Sequence, residues 1–123
     1  MNNNPKSSIK RAQRESLLFK TISLYMLEIG LEDSRLQQLA VNRVQLSADK
    51  GICYIYFYAL QGEPVYLELL PILTSYKPAL RKALAKELQS RYTPELAFAY
   101  DTQLEKQVKI ERLLDKVKEE EGF

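Results

Sequence analysis

Apolar residues recur along this chain with two periods, and the places where the period changes divide it into elements. Leu18, Ile22, Tyr25, Met26 and Ile29 share one face at helical spacing. They predict a helix from about Ser8 to Ile29, with Gly30 at C′ and Leu31 making the accompanying apolar contact. Glu32–Gln38 reads as a polar turn region containing Asp33-Ser34-Arg35. Strand alternation then sets in over Leu39–Leu46, with Val44 and Leu46 on one face and Arg43 on the other. Ser47-Ala48-Asp49-Lys50-Gly51 reads as a turn in which Gly51 can take positive φ. Ile52–Leu60, ICYIYFYAL, is the strongest strand pattern. Cys53, Ile55 and Phe57 lie on one of its faces and Tyr54, Tyr56 and Tyr58 on the other. The two strands and their short turn make a hairpin.

Gln61-Gly62-Glu63-Pro64 breaks the strand. Helical spacing returns over Val65–Tyr76 through Leu67, Leu70, Ile72 and Leu73. Pro71 is awkward there, since an interior proline costs about 3 kcal/mol, so the helix either bends at Pro71 or starts there. Tyr76-Lys77-Pro78 is an interhelical joint, with Pro78 at the first position of the next helix, where its missing N–H costs nothing. Leu80, Leu84 and Leu88 give that helix an apolar stripe. Pro94 ends any helical run before it. Leu96, Phe98 and Tyr100 then alternate with Glu95, Ala97 and Ala99 as a strand. Thr102-Gln103-Leu104-Glu105 has the form of a capping box. It opens a last helix carrying Val108, Ile110, Leu113, Leu114 and Val117, whose acidic end, Glu119–Glu121, opposes the helix dipole and should fray. The order helix, strand, strand, helix, helix, strand, helix predicts an α+β domain of two layers, a sheet covered by helices.

A chain of 123 residues is one domain, and 46% hydrophobic residues suffice for a core. Met1–Ser7, polar and Asn-rich, reads as a disordered segment. No apolar run reaches the length of a membrane span and no secretory signal opens the chain, so a cytoplasmic protein with no membrane partner is expected. The absence of histidine removes the commonest general base and metal ligand. The single cysteine, Cys53, sits on the apolar side of a strand and reads as a small core residue. Gly30, Gly51, Gly62 and Gly122 are scattered and form no phosphate loop. Asp33, Asp49 and Asp101 read as caps and turn formers. No catalytic residue, metal site, cofactor or small-molecule substrate is expected.

Net charge is only +2, so a nucleic-acid signal must come from the distribution of charge. Lys77, Arg81, Lys82 and Lys86 crowd onto the helix that Leu80, Leu84 and Leu88 anchor. Lys10, Arg11 and Arg14 crowd onto the first half of the first helix, and Arg91 lies in the linker before the last strand. Cations held on rigid supports bind phosphates without reading bases. Tyr54, Tyr56 and Tyr58 offer stacking surfaces if their sheet face is open. The rival reading is a protein–protein adaptor whose contact surface is the tyrosine-rich strand and the acidic C-terminal end.

The run Arg91-Tyr92-Thr93-Pro94-Glu95-Leu96-Ala97-Phe98-Ala99-Tyr100-Asp101 resembles the R-x-x-P-x-L-x-F-x-x-D signature of the bacterial ribosome-binding factor A family. Leu80-Arg81, Asp33-Ser34-Arg35, Val44 with Ser47-Ala48-Asp49, and Ile110-x-x-Leu113-Leu114 follow that family's pattern in the same order, over roughly residues 8–117. The resemblance implies a type II KH-like fold, αββααβ, over residues 8–101, with three strands, helices on one face of the sheet, and a C-terminal helix or tail over 102–123. It also implies a non-catalytic factor; a monomer is expected because nothing in the chain suggests an obligate dimer. Such a factor binds the free small ribosomal subunit and its rRNA and assists late rRNA maturation. The family carries an A-x-G kink between its second and third helices; Tyr76-Lys77-Pro78 stands in that place here, and Pro78 can still enforce the break.

Overall fold

The computed structural model of the chain describes residues 5–89 and 91–120. Its elements are α1 (Pro5–Glu32), a short 3₁₀ helix (Ser34–Gln38), β1 (Leu39–Leu46), β2 (Ile52–Ala59), α2 (Glu63–Ser75), α3 (Lys77–Leu88), β3 (Glu95–Tyr100) and α4 (Thr102–Glu120). The sheet order is β1-β2-β3, with β1 antiparallel and β3 parallel to the central strand. A parallel neighbour needs a crossover connection, and α2 and α3 supply it.

One face of the sheet is the core. Cys53, Ile55 and Phe57 are fully buried under Leu18 and Ile22 of α1, Leu73 of α2, and Leu80 and Leu84 of α3. Phe57 meets Phe98 edge-on, with ring centroids 5.4 Å apart. The three tyrosines of β2 point the other way and are half-buried. Burial pushes the Cys53 thiol up to about 12, with Glu15 adding to the shift, so the group stays protonated at neutral pH.

Local details depart from the sequence expectations for identifiable reasons. α1 begins at Pro5, so Pro5–Ser7 are helical where disorder was expected; residues 1–4 lie outside the described residues. α1 also continues through Gly30, which is not its C′ residue. A Cβ there would lie 3.0 Å from Cγ of Gln37, and Gln37 Nε2 donates to the Gly30 carbonyl at 2.9 Å, so glycine lets the 3₁₀ helix approach α1. In the hairpin turn it is Lys50, not Gly51, that takes positive φ (62°). Asp49 stabilises the turn by accepting from Gly51 N–H at 2.9 Å and from the Ser47 hydroxyl at 2.7 Å.

α2 runs past Pro71, which is exposed, so the helix does not start there. Its buried face is Tyr66, Leu69 and Leu73, whereas Leu67 is 55% exposed. Beginning the helix two residues earlier, at Glu63, is compatible with either face; packing on Phe57 selects the one with Tyr66. The expected capping box at Thr102 does not form, and Asp101, read above as a cap or turn former, takes the role. Its Oδ1 accepts from Leu104 N–H at 3.1 Å, which makes Asp101 the N-cap and Thr102 the first helical residue. α4 extends to Glu120; Glu121, at the end expected to fray, lies outside the described residues.

Candidate nucleic-acid interface

The joint Tyr76-Lys77-Pro78 keeps its expected place: α2 ends at Ser75, Tyr76 has φ −89° and ψ −5°, and α3 starts at Lys77 with Pro78 in its first turn. α3 then runs back along β3. Lys77 is half-buried, with Nζ 5.0 Å from the Phe98 ring centroid. One turn on, Arg81 reaches the β3 entry, donating to the carbonyls of Thr93 (3.3 Å) and Pro94 (3.4 Å) and pairing with Glu95 at 3.0 Å. Lys82 points away from the sheet and, with Arg81, Arg91, Tyr92 and Pro78, lines a shallow depression of about 530 Å³. The Arg91 guanidinium lies 5.6 Å from the Tyr92 ring centroid. Lys86 belongs to a separate depression of about 320 Å³ between α3 and α1, beside Lys20, Glu28 and Glu87.

The α1 cations divide in the same way. Lys10 is exposed. Arg11 is not: its guanidinium donates to the carbonyls of Leu46 (3.2 Å), Ser47 (2.9 Å) and Ala48 (3.0 Å). Glu15, one turn later, accepts from Leu46 N–H at 2.7 Å, so α1 satisfies the outward-facing groups at the end of the edge strand. Arg14 is half-buried and, among the described residues, its Nε finds no hydrogen-bond partner.

These contacts bring the two basic segments to one end of the sheet. Arg11 holds the hairpin turn, Gly51 in that turn accepts from Glu95 N–H at 2.9 Å, and Glu95 is the partner of Arg81. Lys10, Lys50, Lys82 and Arg91 are exposed around this end. Lys50 escaped sequence reasoning because it stands alone in a turn; only the hairpin's position beside the α1 and β3 ends joins it to the other cations.

Asp101, which follows β3, pairs with an arginine of β1. Asp101 is 2% exposed and accepts from Arg43 Nε at 2.9 Å and Asn42 Nδ2 at 2.7 Å. Burial alone would raise its carboxyl. The hydrogen bonds from Asn42, the Leu104 N–H and Arg43, with the charge of Arg43, outweigh burial and hold it below the ordinary carboxylate value.

A sequence profile of the ribosome-binding factor A family matches residues 10–114. The chain belongs to the ribosome-binding factor A family. Ribosome-binding factor A of Prochlorococcus marinus (strain MIT 9301) is 32% identical over 114 residues, spanning 91% of this chain and 87% of that one. The crystal structure of ribosome-binding factor A from Thermus thermophilus superposes with a TM-score of 0.62 at 30% identity, over 73% of this chain and 94% of that one. A homology model of the Thermus thermophilus protein, as fitted into the cryo-EM map of a 30S–RbfA complex, matches with a TM-score of 0.51 at 31% identity, over 73% of this chain and 89% of that one. The motif residues that carry the family likeness are largely fold-holding in this structure. Asp33 caps the 3₁₀ helix and pairs with Arg35 at 2.7 Å, Asp49 closes the turn, Arg81 ties α3 to β3, and Asp101 caps α4.

Proposed function

We propose that this protein binds the free small ribosomal subunit through its rRNA in the cytoplasm and assists late maturation of that rRNA without catalysing a reaction. The KH-like unit of residues 8–101 makes the contact, and residues 102–123 are an extension of it. The observation that carries this reading is the basic end of the sheet, where exposed cations are mounted on elements locked to one another by Arg11 and Arg81. The relative fitted into a 30S complex supplies the partner. Lys10, Lys77, Lys82, Lys86 and Arg91, with Lys50, contact phosphates; Arg11 and Arg81 hold the surface in shape, and they and Arg14 add field. Among the described residues no helix is long and apolar enough to cross a membrane.

Cosedimentation with purified small subunits, large subunits and whole ribosomes across a salt series tests this. Selective binding to free small subunits that weakens steeply with salt is expected, since phosphate contacts release counterions. Charge reversal at Lys82 and Lys86 should weaken it without unfolding the domain; unchanged cosedimentation would reject the assignment.

A protein–protein adaptor is the second reading, and one observation favours it. Ile110, Leu113, Leu114 and Val117 of α4 form a stripe that is 42–64% exposed. An RNA-free complex whose stability hardly changes with salt would place this reading first.

A further inference from the structure

The helices α1, α2 and α3 all pack on the Cys53 face, and α4 leaves the sheet at its edge, directly after Asp101. The opposite face therefore presents Tyr54, Tyr56 and Tyr58 at alternate positions of the central strand. Their spacing is two residues, roughly 7 Å. Two of them have small β3 neighbours: Tyr54 pairs with Ala97 and Tyr56 with Ala99, so nothing tall stands beside those two rings on that side, whereas the Tyr58 ring stacks on Tyr100 with centroids 6.0 Å apart. On the other side Arg43 pairs with Tyr56, and its guanidinium lies 3.9 Å from the Tyr56 ring centroid. Asp101, buried beneath, holds that guanidinium in place through Nε at 2.9 Å. A planar cation is thus clamped on a planar ring, at a fixed orientation that costs nothing to reach on binding.

Charge at both ends of the ladder says what it takes. Tyr54 lies close to the hairpin turn, whose Lys50 belongs to the basic end described above. Tyr58 borders a depression of about 210 Å³ that Lys109 and Arg112 of α4 also line, with Glu105 as its acidic member. Glu105 lies 3.4 Å from Lys109, which leaves Arg112 to face the depression with its charge uncompensated there. An aromatic row with cations before, beside and after it suits a polyanion that carries flat apolar groups. Unpaired nucleotides have that chemistry: bases stack on tyrosine and on guanidinium planes while the backbone follows the positive charge.

We propose that the tyrosine face of the sheet is a second RNA-contact surface, on which two or three unpaired bases of a single strand stack along Tyr54, Tyr56 and Tyr58. This rests on the reading that the partner is rRNA and assigns that RNA a path: it leaves the basic end and crosses the exposed sheet face toward α4. It also gives a task to a strand whose outward positions after Ile52 are all aromatic, where any β-former would serve solubility and pairing.

The test uses the intact chain and two single-stranded probes, a mixed-sequence RNA decamer and its abasic counterpart with the same phosphates. The chain has no tryptophan, so its intrinsic emission is tyrosine emission and stacking quenches it. Replacing Tyr54→Thr and Tyr56→Thr together keeps β-branched residues in the strand and removes the rings. About tenfold or greater loss of affinity for the base-bearing decamer is expected, from the usual strength of base–aromatic stacking. Affinity for the abasic probe should stay within twofold, and Tyr54→Phe with Tyr56→Phe should bind both probes as the parent does. Ala99→Glu leaves every tyrosine in place and sets a carboxylate beside the ladder; it should reproduce the loss. Equal binding of the decamer by the parent, the threonine variant and Ala99→Glu would overturn the proposal, as would equal losses for both probes. So would a tyrosine variant that binds RNA normally yet fails to cosediment with small subunits, since the face would then be docking protein. The Lys82→Glu, Lys86→Glu variant separates this from the reading beneath it: if only that variant loses the subunit, the basic-end assignment stands and the stacking face falls.

Discussion

Arg11 and Lys82 carry the same charge at the same end of the sheet, and the fold uses them in opposite ways. Arg11 lies on the hairpin turn with three carbonyls around its guanidinium; Lys82 extends from α3 into solvent. Several other cations divide in the same way. Among the described residues, Arg35, Arg43 and Arg81 pair with Asp33, Asp101 and Glu95, while Lys10, Lys50, Lys82 and Lys86 are exposed on the surface. Planar guanidinium suits this work: its fixed fork of donors meets several acceptors at once, and it is weakly hydrated, so partial burial costs less than for an ammonium. The lesson is that a count of basic residues overstates a phosphate-binding surface. Part of the charge builds the platform and the rest faces outward.

The largest effect should come from the most buried part of the platform. Asp101→Ala removes the α4 cap and the partner of Arg43 and Asn42, and should lower unfolding free energy by about 2–3 kcal/mol in urea denaturation. The figure lies below that of a fully buried pair because Arg43, 40% exposed, can rehydrate. A loss under about 0.5 kcal/mol would mean that the cluster is ornamental to stability. Next, Arg11→Ala should cost about 1–2 kcal/mol, and Arg11→Lys should recover little of it, since an ammonium cannot span three carbonyls. If Arg11→Lys restored full stability, the division between the two kinds of cation would dissolve.

Acid should expose the same platform. The Asp101 carboxyl is depressed in the folded state, so its contribution is complete above the ordinary carboxylate value of about 3.9 and is lost as pH falls through the lower folded value. Asp33 and Asp49 are depressed too, by hydrogen bonds from Arg35 and from Gly51 and Ser47 respectively, and add in the same direction. Thermal midpoints measured from about pH 5 to pH 2 should fall, and Asp101→Asn should flatten that fall. The smallest effect on stability belongs to the outward lysines. Lys82→Ala with Lys86→Ala should change unfolding free energy by no more than about 0.5 kcal/mol. It should nonetheless reduce the salt dependence of RNA binding by up to about one power of salt per lost phosphate contact. A large destabilisation with an unchanged salt slope would reverse their assignment.

Much of the fold was legible because its signals are local. β1 was read from alternation at its observed limits, and the buried faces of α1, α3, β2 and β3 follow the spacing of Leu18 and Ile22, Leu80 and Leu84, Ile55 and Phe57, and Leu96. Proline and the Tyr76 joint placed the helix break, since Pro78 is preorganised for a first turn. The misreadings also share a cause. Which face of α2 is buried and why Gly30 is glycine both depend on another element: Phe57 of β2 and Gln37 of the 3₁₀ helix.

The order of elements, the two-layer arrangement and the segments on which positive charge is concentrated all follow from the chain read as a string. They do so because periodicity, proline and charge runs are properties of short stretches. Which cations are structural and which face outward was settled by the assembled fold alone. Arg11 meets acceptors 35 to 37 residues away and Arg43 meets Asp101 58 residues away. The fold settled as well that, among the described residues, the tyrosine side of β2 is left without a core helix, because that depends on α1, α2 and α3 all choosing the other face. Side chains that reach across the fold leave no periodic trace in the chain, so their partners exist only once the sheet has closed its register.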